Sequence, residues 1–261
     1  MLGAAGGLLA RYLTRPIRGY EPIATSDPEQ LRRTLRPCDV LLVEGNTHVG
    51  TAIKYLTQST WSHAALYIGD ALARDWDDPE PRSLIEADLL EGVWAVPLSH
   101  YDRFHTRICR PIGLTEMDAR RIIEAAIARI GQTYDLKNLL DLVRYLLPTP
   151  PVPVRWRRRM LALGSGEPTR AICSTLIAQL FQAVGYPILP RVETRPAPRP
   201  GCEHCVQEIL HIRHHSLFAP RDFDISPYFE VVKPALAAGF NYKRLVWEER
   251  ADIVLSPDLR A

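Results

Sequence analysis

The chain has 261 residues, 46% of them hydrophobic, which is enough to bury a proper core and excludes a protein disordered throughout. Its 32 Lys and Arg against 30 Asp and Glu leave a formal charge of +2, too balanced for nucleic-acid binding by bulk electrostatics. The length favours one domain with appendages: an apolar and basic helical segment over 1–36, a core over 37–190 with an insertion at 136–170, and a proline-rich connector and C-terminal extension over 191–261.

The first ten residues are apolar but too short to span a bilayer, and they lack the basic n-region of a secretory signal. Leu8, Leu9, Tyr12 and Leu13, beside Arg11, Arg15 and Arg18, suit either an interfacial helix or a helix docked on the domain. Asp39–Val43 is an apolar run between Pro37 and Gly45 and reads as a buried strand. Val49, Ile53 and Leu56 recur at helical spacing after Thr47, predicting a helix over 47–58. From Ser62 to Ile68 the residues alternate, with His63, Ala65 and Tyr67 on one face and Ala64, Leu66 and Ile68 on the other.

A turn-rich loop over 70–82 precedes strand candidates at Ser83–Ala87, Val93–Pro97 and Thr106–Arg110. Thr115 and Asp118 form a capping pattern ahead of Ile122, Ile123, Ala126, Ile127 and Ile130, a helix that Gly131 stops. A second helix is expected over 136–147, ended by Pro148, Pro150, Pro151 and Pro153. A short one around 155–163 carries Arg155, Trp156, Arg157, Arg158 and Arg159, which suit anionic headgroups or a solvated face. The run 171–181 reads as a helix with Leu176, Leu180 and Phe181 on its core face and Cys173 in its first turn. The segment 187–200 is rich in proline and is expected to wrap the surface without regular structure.

A cysteine is a good nucleophile only as the thiolate, and a helix N-terminus favours that anion through its unpaired N–H groups and dipole. A neighbouring imidazole completes the activation by taking the thiol proton and returning it to a leaving group. Cys173 and His63 have the right types and placements, although each alone also suits an ordinary buried residue.

What joins them is a resemblance. Trp61-Ser-His-Ala-Ala-Leu-Tyr-Ile-Gly69 resembles the histidine strand of the NlpC-type cell-wall peptidase superfamily, Ile172-Cys-Ser-Thr-Leu-Ile177 its nucleophile helix, and Gly131-Gln-Thr-Tyr134 its Gly-x-x-Tyr element. Ordinary members place the cysteine first, whereas here His63 precedes Cys173. That order resembles the circularly permuted papain-like branch, which includes the YiiX/YebB-like bacterial proteins and the lecithin:retinol acyltransferase group.

The resemblance implies an α+β fold with a permuted papain-like core, in which the helix bearing the nucleophile packs on an antiparallel sheet. It implies a cysteine hydrolase or acyltransferase acting on an amide or ester through a thioester, with Cys173 as nucleophile, His63 as base and Glu86 as the acidic partner of the imidazole. Asp88 and Glu91 are alternatives for that third position. Tyr134 would line the pocket or simply begin a helix, and Trp61 and Ser62 would flank the histidine. No cofactor is implied. The glycine pair that usually follows the tyrosine is absent, and the apolar insertion over 136–170 takes its place. This shifts the expected substrate from muropeptides toward a lipid-like molecule, with peptides and other small molecules left open. The rival reading is a membrane-associated binding protein without turnover.

Cys202 and Cys205 with His211 and His214 offer zinc-ligand types at an approximate spacing, or else are incidental groups on a polar tail. Five scattered cysteines in a chain of this size fit a reducing compartment. The cytoplasm, with a peripheral contact at the inner membrane, is therefore the expected location. The oligomeric state is left open.

Overall fold

The computed structural model describes residues 11–17, 19–20, 23–24, 26–73, 80–88, 90–133, 172–197, 199–202 and 204–244. In chain order these include helix α1 (Pro28–Thr34), strand β1 (Val40–Val43), helix α2 (His48–Thr57), strands β2 (His63–Tyr67), β3 (Arg82–Asp88) and β4 (Gly92–Pro97), and a 3-10 turn (Leu98–Tyr101). Strand β5 (Thr106–Pro111), helix α3 (Glu116–Ile127), helix α4 (Ile172–Ala183), strands β6 (Arg191–Pro196) and β7 (Val206–His211), helix α5 (Pro220–Asp224) and strand β8 (Phe229–Val232) follow. Six strands form one antiparallel sheet in the order β4-β3-β2-β1-β5-β8.

The side-chain alternation of the strands gives the sheet two apolar faces. Val40, Leu42, Ala64, Leu66, Ile85 and Ala95 point to one face, where they meet Leu176, Ile177, Leu180 and Phe181 of α4. Leu41, Val43, Ala65, Leu84, Val96 and Ile108 point to the other, under Leu31 and Leu35. Phe181, Leu180 and Ile177 are fully buried. Each such side chain contributes about 1.5–3 kcal/mol, so α4 is held by its apolar face along most of its length. That anchoring sets where its first turn lies.

The expected elements over 39–68 and 83–110 form within a residue or two of their predicted bounds, while the helix opened by Thr115 ends at Ile127 rather than running through Ile130 to Gly131. Thr115 caps α3 as its spacing requires, accepting from the Asp118 N–H at 3.1 Å. The chain leaves that helix through a turn at Gly131, whose N–H donates to Val93 O while the Val93 N–H donates to Gln132 O, both at 2.8 Å. The close approach requires glycine at 92: φ is +74°, and a Cβ there would lie 2.2 Å from Gln132 O. The backbone just before Tyr134 is thereby held against β4.

Two expectations are corrected. The segment 187–200 is not irregular: Arg191–Pro196 pairs with Val206–His211 in a two-stranded antiparallel hairpin, Arg191 opposite His211 and Pro196 opposite Val206. Proline is accommodated because position 196 is the last residue of its strand. Cys202 and Cys205 are not free thiols but a disulfide at the tip of that hairpin. The segments 1–10 and 136–170, with the expected helix at 136–147 and the Arg155–Arg159 cluster, lie outside the described residues.

Candidate active site

His63 is the first residue of β2 and Cys173 the second of α4. Beyond Leu66 and Tyr67 the pairing of β2 with β3 stops, and the Ala64 N–H turns to the Cys173 sulfur. The thiol lies within electrostatic reach of the His63 imidazole, and Ser174 Oγ is 3.9 Å from it. On the other side of the ring His63 Nε2 is 2.8 Å from Glu86 Oε2. Glu86 stands on the same sheet face as His63, one strand over, and takes a second donor, the Tyr101 hydroxyl, on that same oxygen. With Nε2 engaged by the carboxylate, Nδ1 is the ring nitrogen left to exchange a proton with sulfur.

Burial dominates the electrostatics here but does not decide them. Cys173 is 4% exposed and Glu86 3%. Burial pushes the Cys173 thiol up, yet the His63 charge, its hydrogen bond, the Ala64 N–H and Ser174 together bring it below its ordinary value. Burial pulls His63 down, and the charges of Cys173 and Glu86 raise it well above its ordinary value. Burial pushes Glu86 up, and His63 and Tyr101 bring its carboxyl down. All three directions favour a thiolate beside an imidazolium, backed by a carboxylate, over the neutral groups. The other free cysteines, Cys38 and Cys109, have no such partner and are pushed up by burial.

The three groups line a cleft of about 430 Å³. Val43, Val49 and Ile53 give it an apolar wall, and Asp88 and Glu91 stand along its lining. Ser62 also lines it, but its hydroxyl is spoken for: Oγ accepts from the Gly45 N–H at 2.8 Å and holds the loop that leads into α2. Side chains at 45 and 50 would collide with that oxygen, at 2.8 and 3.1 Å. Ser62 therefore shapes the cleft wall rather than offering a free polar group.

Trp61 does not flank the site as expected. It is 2% exposed and absent from the cleft, its Nε1 donating to Asp224 at 3.1 Å and its ring lying 4.8 Å from the Arg107 guanidinium. The strand begins only at His63, so Trp61 does not share its alternation, and the indole packs with the core cluster of Ala64 and Leu66. Asp88 and Glu91 do not reach the imidazole; Asp88 accepts from the N–H groups of Leu90 and Glu91. Tyr134 lies outside the described residues.

The zinc reading of the tail is also corrected. The disulfide takes both thiols, His211 pairs with Glu193 at 2.8 Å, and His214 accepts from the Ser216 N–H. Among the described residues no group of three or more His, Cys, Asp or Glu converges to hold a metal ion.

Sequence reasoning missed Tyr101, Trp94 and His100. Trp94 faces Glu86 in the β3–β4 register and is approached edge-on by His100, with its Nε1 buried and unpartnered among the described residues. The one local signal for Tyr101 is a phenol directly after an apolar strand, since a buried tyrosine hydroxyl needs an acceptor. Nothing local names Glu86 as that acceptor.

No family model and no curated protein matches the sequence. Among solved structures the chain is similar to the metalloprotein yiiX of Escherichia coli O157:H7, with 14% identity and a TM-score of 0.42 over 82% of this chain and 98% of that one. A likeness this slight carries no argument about activity. The geometry itself describes a mixed α and β protein whose antiparallel sheet brings a cysteine, a histidine and a glutamate into one cleft.

Proposed function

We propose that this chain is a cysteine-dependent hydrolase or acyltransferase with a permuted papain-like core, acting on an amide or ester carbonyl. The observation that carries the reading is that Cys173, His63 and Glu86 line one cleft, with His63 Nε2 2.8 Å from Glu86 Oε2 and the imidazole close enough to bring the thiol below its ordinary value. The thiolate of Cys173 attacks the carbonyl carbon, and the electron pair of the C=O moves to oxygen. The Cys173 N–H, in the first turn of α4, has no partner within its helix and is placed to donate to that oxyanion. Collapse of the tetrahedral adduct expels the amine or alcohol, which takes its proton from the His63 imidazolium. A thioester remains. Water or another acceptor then gives a proton to neutral His63 and attacks the thioester, and collapse returns the thiolate with the imidazolium.

The apolar wall of Val43, Val49 and Ile53 supports an acyl group of lipid-like character, and no cofactor enters the scheme. Among the described residues no helix is long and apolar enough to cross a membrane. A peripheral contact is the proposal that fits the exposed Tyr12 and Tyr55, at 54% and 66%, which border a second groove between the N-terminal segment and α2.

The test is labelling by an electrophilic acyl-thiol probe. Wild-type protein is expected to label at Cys173 alone, and Cys173→Ala to lose the label while keeping its thermal unfolding midpoint. Equal labelling of the variant at another site overturns the reading. Mass spectrometry of Cys173 after incubation with lipid extract or with peptide esters then names the acyl group.

A further inference from the structure

We propose that Tyr101 is a positioning residue of this site, fixing the Glu86 carboxylate so that the carboxylate in turn fixes His63. The inference rests on the reading of Cys173, His63 and Glu86 as the reacting line. Tyr101 ends the 3-10 turn that follows β4, and that turn folds back over β3, bringing the phenol to the carboxylate fifteen residues earlier. The hydroxyl donates to Oε2, the oxygen that also receives the His63 Nε2 proton. Two donors from different elements on one oxygen leave the carboxylate a single rotation that satisfies both.

Burial makes this arrangement consequential. Tyr101 is 5% exposed and Glu86 3%, so each depends on the other far more than on solvent for its hydrogen bond. The phenol ring is itself held, edge-on to His100 at 4.9 Å and to Phe104 at 5.8 Å, and tilted against His63 at 6.2 Å. It therefore acts as a rigid prop. The charged and titratable groups facing this carboxylate are His63 from β2 and Tyr101 and His100 from the 3-10 turn. Cys173 from α4 faces His63, and Asp88 on β3 is within electrostatic reach of Tyr101. Without the phenol, Glu86 keeps one donor and gains freedom to rotate away from the imidazole. The imidazolium is then held less well, and the thiolate it stabilises with it.

The experiment is the pH titration of thiolate absorbance near 240 nm in the full-length protein, taken as the difference from Cys173→Ala so that Cys38 and Cys109 cancel. Tyr101→Phe keeps the ring and removes only the hydroxyl; Tyr101→Leu is a second hydroxyl-free variant should the first pack poorly. Both are expected to move the Cys173 midpoint up by about one pH unit, equivalent to about tenfold less thiolate on the acid side. Leu98→Ala, on the same turn and 4% exposed, loosens the packing without touching Glu86 and is expected to leave the midpoint in place. An unchanged midpoint in the hydroxyl-free variants, or an equal shift in Leu98→Ala, overturns the proposal. A wild-type protein with no difference signal in the acid range would instead defeat the reading of Cys173 as an activated thiol.

Discussion

The imidazole of His63 meets the carboxylate of Glu86 Nε2 to Oε2 at 2.8 Å, from neighbouring strands of one sheet. That contact fixes the tautomer when the ring is neutral and stabilises it when charged, and it leaves Nδ1 for the Cys173 sulfur. Removing the charge while keeping the shape tests it. Glu86→Gln is expected to move the Cys173 titration up toward the ordinary thiol value and to slow probe labelling at pH 6 at least tenfold. Glu86→Ala adds a stability loss of about 1–3 kcal/mol by denaturant unfolding, because the buried Tyr101 hydroxyl then has no acceptor.

The pH dependence of stability follows from the directions of the three shifts. His63 is raised, so its contribution is complete below its ordinary 6.5 and is lost as pH rises through the folded value. Cys173 is lowered, so its contribution is complete above its ordinary 9.0 and is lost as pH falls through the folded value. Glu86 is lowered and behaves likewise around its ordinary 4.5, losing its contribution in acid. Between the ordinary values of 6.5 and 9.0 the two shifts act in opposite senses, the raised His63 favouring proton uptake on folding and the lowered Cys173 favouring proton release. The two offset. Unfolding free energy is expected to be nearly flat across that window in the wild type and to fall with rising pH in Cys173→Ala, where His63 still holds its proton against Glu86. A flat profile in both would remove the ion pair from the account.

Trp61 separates a structural role from a binding one. Trp61→Phe loses the N–H bond to Asp224 and part of the stacking on Arg107, with an expected cost of about 1–3 kcal/mol. The rate of labelling at Cys173 in folded protein is expected to stay within twofold of wild type. A large fall in rate with stability intact would bring the indole back to the substrate.

Ser62→Ala removes the acceptor of the half-buried Gly45 N–H. The expected stability loss is again about 1–3 kcal/mol, and here the labelling rate should fall as well, because the loop over Gly45 and Thr47 forms part of the cleft. Gly45→Ala is expected to resemble it, since the added methyl would meet Ser62 Oγ at 2.8 Å.

Much of this protein is written locally. Four apolar residues between breakers make β1, alternation places His63 opposite to Ala64, and Thr115 with Asp118 opens α3; each depends on residues a few positions apart. Cys173 in the first turn of a helix and an acidic residue on the strand after His63 are of the same kind, so the reacting line was legible once a resemblance suggested pairing them. The periodicity said nothing of which partners meet across the sheet. Tyr101 reaches Glu86 only because β4 runs antiparallel to β3 and its turn folds back, and Trp61 turns from the cleft because Asp224, 163 residues away, is there to receive it. Proline content over 187–200 pointed to irregular chain, and the ladder with 206–211 overrode it, since strand pairing draws on hydrogen bonds that local composition does not count. Sequence alone determined which cysteine, histidine and acidic side chains the chain carries and on which elements. Tertiary structure decided which carboxylate, which hydroxyl and which face serve it, because those choices rest on long-range contacts between buried polar groups that must each find a partner.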